Sequence, residues 1–284
     1  MTVDQATRLR QLVTTTAKRA RVIAVTSGKG GVGKSSIALN LAVVAAGHFG
    51  RTVLLDADLG LANLDVMCGV TVRGGLAEVV AGKKRLNEII VKTPYKVDLV
   101  PGASGIAYVA DLPDEDRGRL MEQMDLLERH ADLVVVDTGA GVTRNVVRTA
   151  AAADEIFVVA TPEPTSITDA YATIKLISRC NEYGTLKVII NQADSRREGD
   201  RVADRIAAVS KKFLGANVTP GGCIFADPKV ARAVRLRKPL VTAFPASPAA
   251  LGIAAIARGL NGADGACRDG AFMGRLKKLF GGKK

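Results

Sequence analysis

Residues Gly28-Lys29-Gly30-Gly31-Val32-Gly33-Lys34-Ser35 carry the clearest chemistry in this chain. They match GxxxxGK[ST], directly after a predicted strand and at the start of a predicted helix, which is the setting the pattern needs. The glycines let backbone N–H groups turn inward around phosphate oxygens, and the helix start adds its positive end. Lys34 is expected to bridge the β- and γ-phosphates and Ser35 to ligand Mg²⁺, with Val32 and Ser36 completing the cradle. Lys29 is a second cation, which an ordinary phosphate loop does not need.

Three aspartates fall at strand ends beside that loop. The run TVLLDA delivers Asp56 and Asp58, two residues apart and so on one side of the strand. The run LVVVD ends at Asp137 and continues Thr138-Gly139-Ala140-Gly141. A carboxylate at Asp137 can hold Mg²⁺ through water, and the glycines permit a loop that moves when a terminal phosphate leaves. The run KVIIN ends at Asn191, whose amide can both donate to and accept from an adenine edge. Asp194 follows in Asn191-Gln192-Ala193-Asp194, which lacks the lysine of the guanine-reading Asn-Lys-x-Asp pattern. ATP is therefore expected, not GTP.

The elements that must position these groups can be read from apolar patterning. Short β-branched runs recur at 21–26, 52–57, 96–100, 133–137, 155–160, 187–191 and 223–225. They are continuously apolar, as strands buried on both faces are. Helix-like stretches lie between them at 34–47, 116–130, 142–153, 166–182, 198–213 and 248–260. This alternation predicts an α/β fold with a doubly wound, mostly parallel sheet and helices on both faces. In such a sheet ligands bind at the carboxyl ends of the strands, where every motif above sits.

With 284 residues and 48% hydrophobic content the chain can bury one large core. One domain over 21–260 is expected, after an N-terminal segment 1–20. The glycine- and aspartate-rich stretch 261–270 reads as a flexible linker to a separate tail, 271–284. No apolar run approaches the roughly 20 residues that span a bilayer, and MTVDQATRLR has no signal-peptide stretch, so a cytoplasmic protein is expected. Cys68, Cys180, Cys223 and Cys267 form no CxxC pair and read as reduced thiols. His48 and His130 each fall near a helix end and read as surface residues. The formal charge of +12 is concentrated in three segments, 1–21 (+4), 227–238 (+4) and 268–284 (+5), so the body is close to neutral and the basicity lies at its edges.

The sequence Lys29-Gly30-Gly31-Val32-Gly33-Lys34-Ser35 resembles the deviant-Walker-A family of MinD, FlhG, ParA and the nitrogenase iron protein. The resemblance implies that Lys29 reaches across an ATP-bound homodimer to the partner's nucleotide, as an arginine finger does. It also implies that Asp58, in switch I, positions the attacking water, that Asp56 supports the Mg²⁺ shell, and that Asp137 opens switch II. The run from Asp56 to Asp65, DADLGLANLD, is similar to the MinD and FlhG branch and unlike ParA. The absent CxxC near the C-terminus argues against an iron–sulfur carrier, and the absent cysteine after Asp137 against an iron-protein reductase.

The extension Asp4-Gln5-Ala6-Thr7-Arg8-Leu9-Arg10 resembles the DQAxxLR motif of FlhG (also FleN or YlxH). That resemblance implies stimulation of an FlhF-like GTPase through Asp4, Gln5, Leu9 and Arg10. In the tail, at 100° per residue, Phe272, Met273, Leu276, Leu279 and Phe280 fall within an arc of about 120°, with Arg275, Lys277 and Lys278 outside it. This is the pattern of a helix in an anionic membrane interface, and it resembles the membrane-targeting tail of MinD and FlhG. A terminal helix docked on the body would show the same stripe. The expectation is thus an ATPase switch of the FlhG type, cytoplasmic and peripheral on the inner face of the membrane in its ATP state. Its rivals are a MinD-type division-site regulator, a partition ATPase using 227–238 on DNA, and a metabolic enzyme on the same fold. Nucleic acid is the less expected partner.

Overall fold

The computed structural model describes residues 19–58, 63–102, 112–180, 184–261 and 272–281. The Asp4–Arg10 motif, the stretch 59–62 after Asp58, and Cys267 lie outside them.

Eight strands form one sheet: β1 (Arg21–Ser27), β2 (Thr52–Ala57), β3 (Val91–Lys92), β4 (Val97–Val100), β5 (Leu133–Ala140), β6 (Glu155–Ala160), β7 (Thr185–Ala193) and β8 (Val218–Phe225). Their order is β3-β4-β2-β5-β1-β6-β7-β8, and every pair is parallel except β3 with β4. Twelve helices are described: α1 (Lys34–Phe49), α2 (Leu64–Cys68), α3 (Leu76–Val80), α4 (Leu86–Ile89), α5 (Asp114–His130), α6 (Arg144–Ala151), α7 (Pro164–Cys180), α8 (Arg196–Leu214), α9 (Pro228–Arg235), α10 (Leu240–Ala243), α11 (Pro248–Asn261) and α12 (Phe272–Gly281).

The central strands are mostly apolar because both faces are covered. In β1, Val22 and Ala24 join the core under α5, α6, α7 and α8, while Ile23 and Val25 join the core under α1 and α11. Period-two alternation divides the residues between two layers and leaves none for water. His48 and His130 are exposed, Cys68 is buried, and Cys180 and Cys223 are half-buried free thiols.

Three expectations are corrected. The edge strand β8 starts at Val218, five residues before the expected run, because its parallel pairing with β7 extends through Pro220 and Gly222 with a register shift. Proline is tolerated there since β8 has no partner on its outer side among the described strands. The segment 227–238, read only as a charged patch, contains helix α9, capped by the Asp227 carboxylate on Lys229 N, with Pro228 in the first turn. Arg275, placed outside the apolar arc, is buried.

The tail helix α12 packs on α5 and α6. Phe272, Met273, Leu276 and Phe280 are buried in the core layer that those helices share. Backbone N–H groups of Phe272 and Met273 donate to the Glu128 carboxylate at 3.0 and 3.3 Å, which caps the helix start. Burial raises the Glu128 pKa, against the pull of those two N–H donors. Arg275 donates to the Ala152 carbonyl at 2.6 Å and to Asp154 Oδ1 at 2.6 Å, at the C-terminal end of α6, where a cation also meets the negative end of the helix dipole. Lys277 and Lys278 stay exposed. Among the described residues no helix is long and apolar enough to cross a membrane.

Candidate functional site

The phosphate loop joins β1 to α1 at the carboxyl end of the sheet. Two of its glycines are dictated by space and conformation. A Cβ on Gly28 would lie 2.3 Å from the Asp169 carbonyl oxygen in α7. Gly33 has φ +89°, and a Cβ there would meet the Asn191 side chain at 2.4 Å. The first turn of α1 contains no acidic residue, so the positive end of the helix is uncompensated and faces the loop.

The two lysines of the loop have different surroundings. Lys34 is buried, with its ammonium 3.0 Å from Asp137 Oδ1, 3.4 Å from Ser35 Oγ and 4.0 Å from Asp58 Oδ2. Lys29 has 40% of its side chain exposed, and its ammonium sits 2.7 Å from Glu163 Oε2 and 3.2 Å from Thr165 Oγ1, at the start of α7.

Parallel register brings the acids together. Asp56 in β2 lies opposite Asp137 in β5, so two adjacent strands end in carboxylates beside Lys34. Asp56 Oδ1 accepts from Asp58 N at 3.2 Å. Burial, then the charge of Asp137, pushes the Asp56 carboxyl up to about 7. Burial also raises Asp137, against the pull of Lys34 and a hydrogen bond from Ser35. Asp58 approaches the segment Thr138 to Gly141 after Asp137, since a Cβ on Gly139 would lie 3.4 Å from its Oδ1. Crowded, desolvated carboxylates with a hydroxyl beside them suit a hard cation. Among the described residues no three acidic, histidine or cysteine groups form a metal cage by themselves.

On the far side of the loop a cavity of about 470 Å³ is lined by Ser36, Ile37, Asn191, Phe225, Pro228 and Ile253, among others. Its walls are mostly apolar and its size suits a planar base. Asn191 is buried and donates through Nδ2 to the Val32 carbonyl at 2.7 Å, which ties the base cavity to the phosphate loop. Asp194 is exposed and does not line the cavity.

The structure thus brings together Gly28 to Ser36, Asp56, Asp58, Asp137 and Asn191. The residues of α12 lie elsewhere, on α5 and α6. Sequence reasoning missed Glu163, Thr165 and the cavity wall of Phe225 and Pro228. The pair Asp227-Pro228, a helix cap followed by proline, was the available signal for that wall. Nothing in the sequence marked Glu163.

A family model described as the CobQ/CobB/MinD/ParA nucleotide binding domain matches residues 23–240. The chain is 40% identical over 238 residues to the antiactivator FleN of Pseudomonas aeruginosa, covering 84% of this chain and 85% of that protein. It is 36% identical over 199 residues to the flagellum site-determining protein YlxH of Helicobacter pylori, covering 69% and 66%. Among solved structures, the septum site-determining protein MinD of Pyrococcus horikoshii, complexed with Mg-ADP, superposes with a TM-score of 0.69 at 23% identity, covering 86% of this chain and 96% of that one. That likeness establishes the shared fold.

Proposed function

The chain belongs to the FlhG (FleN/YlxH) branch of the MinD/ParA nucleotide-binding family, and from that premise we propose that it is an ATP-hydrolysing switch, paired when ATP is bound, that regulates flagellar number and placement. The observation that carries this reading is the separation of the two loop lysines. Lys34 is buried among Asp137, Asp58 and Ser35, where it meets the phosphates of the nucleotide seated in its own loop. Lys29 stands at the surface on Glu163 and Thr165, where a second copy laid against this face offers it another nucleotide. A cation delivered in trans neutralises charge that develops on the transferring phosphoryl group, so hydrolysis requires pairing.

The remaining roles follow from position. Asp58 orients the attacking water from the side of Lys34. Ser35, Asp56 and Asp137 would hold Mg²⁺, the aspartates through water, and the ion would supply charge neutralisation to the phosphates. Asn191 gives its amide N–H to Val32, which leaves its carbonyl oxygen to accept from a base. That oxygen can accept from the adenine amino group, and Gln192 stands where the guanine-reading Asn-Lys-x-Asp pattern has its lysine, which favours ATP.

The tail gives the switch its membrane arm. The face that α12 buries, Phe272, Met273, Leu276 and Phe280, is the face a lipid interface would take, so docking and insertion exclude each other. Lys277, Lys278 and the half-buried Leu279 flank it. Each cation near an anionic surface contributes about 1 kcal/mol, so one tail is a weak anchor and two on an ATP dimer gain avidity. The protein is cytoplasmic with its tail docked, and peripheral on the inner membrane face when ATP pairs it.

Asp4, Gln5, Leu9 and Arg10 are assigned to stimulation of an FlhF-like GTPase. The test is GTP hydrolysis by that GTPase with the full chain and with its Leu9→Ala/Arg10→Ala variant. Stimulation by the first and not by the second supports the assignment. Absence of stimulation by both removes the GTPase from the scheme.

A further inference from the structure

Outside the nucleotide site, one concavity concentrates cations. The turn after α3, Gly82-Lys83-Lys84-Arg85, and Arg119 from α5 line a recess of about 580 Å³, together with Glu88 and Gln123. That volume is in the range of small-ligand sites, roughly 300–1,000 Å³. The recess lies on the side of the sheet that α5 covers, and it shares no lining residue with the base cavity beside the phosphate loop.

Its construction is specific. Gly82 has φ +67°, and a Cβ there would lie 2.6 Å from Arg119 Nη1, so the glycine both shapes the turn and admits the guanidinium against it. Arg119 is fixed by donating to the Val80 carbonyl at 2.9 Å, and it also pairs with Glu115 and Asp116. Lys84 donates to the Arg73 carbonyl at 2.6 Å. Glu88 is occupied on the backbone N–H of Arg85 at 2.6 Å. The Lys83 ammonium and the Arg85 guanidinium have no ion-pair partner among the described residues. Two cations are thus anchored on backbone carbonyls, and two stand at the rim of the same recess outside ion-pair distance of a carboxylate, with Glu88 in the lining and Glu78 nearby.

We propose that this recess is a second anion site, taking a phosphate-bearing ligand separate from the nucleotide. A lysine supplies a point charge and an arginine a planar fork, and both favour phosphate oxygens over smaller or apolar groups. The ligand is either a free phosphate compound or the headgroup of an anionic lipid, since both present the same oxygens.

The test uses the full chain saturated with Mg·ADP, so that the phosphate loop is filled. Pyrophosphate is titrated by calorimetry, and binding to vesicles of phosphatidylglycerol is compared with vesicles of phosphatidylcholine. Each is repeated with Lys83→Ala/Arg85→Ala, at two exposed positions, and with Lys211→Ala/Lys212→Ala on α8, which removes the same charge elsewhere. The expected result is a loss of roughly tenfold in one of the two measurements for the first variant and not the second. Loss of pyrophosphate binding identifies a free phosphate ligand, and loss of phosphatidylglycerol binding alone identifies a headgroup. Equal behaviour of both variants in both measurements overturns the proposal.

Discussion

The ammonium of Lys29 lies 2.7 Å from Glu163 Oε2, so the first lysine of the phosphate loop is held by its own chain. Both side chains are well exposed, at 40% and 61%, and such a pair contributes at most about 1 kcal/mol. Glu163 can therefore release Lys29 to a stronger anion. Glu163→Ala should shift the ATP-loaded monomer–dimer equilibrium toward dimer by up to about fivefold, read by sedimentation. A weaker dimer would mean that Glu163 contacts the partner instead.

Replacing the two lysines should have different consequences. Lys29→Ala should keep ATP binding within about threefold while hydrolysis falls about a thousandfold, as for loss of a finger residue. Lys34→Ala should lose ATP binding, and it strips Asp137 of its buried partner, at a cost of about 3–5 kcal/mol in stability. Equal loss of binding in both variants would contradict the division of roles.

The Asp56 carboxyl, raised to about 7 by burial and Asp137, sets a pH dependence. Its folded pKa exceeds the unfolded 3.8, so the folded chain keeps a proton that the unfolded chain has released. This contribution favours folding at low pH and is lost as pH rises through 7. A divalent cation favours the carboxylate, so the rise in melting temperature given by Mg²⁺ with ADP should be larger at pH 8 than at pH 6. Asp56→Asn should flatten that difference. An equal Mg²⁺ effect at both pH values in the unaltered chain would refute the assignment.

The loop and its acids were legible in the sequence because they rest on backbone geometry. Only glycine fits where Gly28 meets Asp169 and where Gly33 meets Asn191, and the aspartates follow strands whose parallel register is implied by the fold. Helices α2, α3 and α4 were not legible, since four or five residues show no period. The two-residue strand β3 is antiparallel and too short for any pattern. Side-chain reach was also hidden. A sequence gives no sign that Lys29 finds Glu163, or that Arg275, at the margin of an apolar stripe, turns inward to Asp154.

Arg275 separates a docked tail from a free one by sign. If it only helped hold a membrane, Arg275→Ala would weaken vesicle binding. Because it is buried on Ala152 and Asp154, its loss should free α12 and raise binding to anionic vesicles in the ADP state, read by cosedimentation. Leu276→Ala, at a fully buried position, should also loosen docking, at a cost of about 2–5 kcal/mol, but should not raise vesicle binding because it blunts the inserting face as well.

The claim that Lys29 acts across a dimer is tested most directly by mixing two inactive chains, Lys29→Ala and Asp58→Ala, with ATP and Mg²⁺. In a mixed pair one site combines the Asp58 of the first chain with the Lys29 of the second. Half of the pairs are mixed and one site of two is complete in each, so hydrolysis should return to roughly a quarter of the unaltered rate. If Lys29 serves the nucleotide of its own chain, no site in the mixture is complete, and a rate no higher than that of either chain alone would contradict the account.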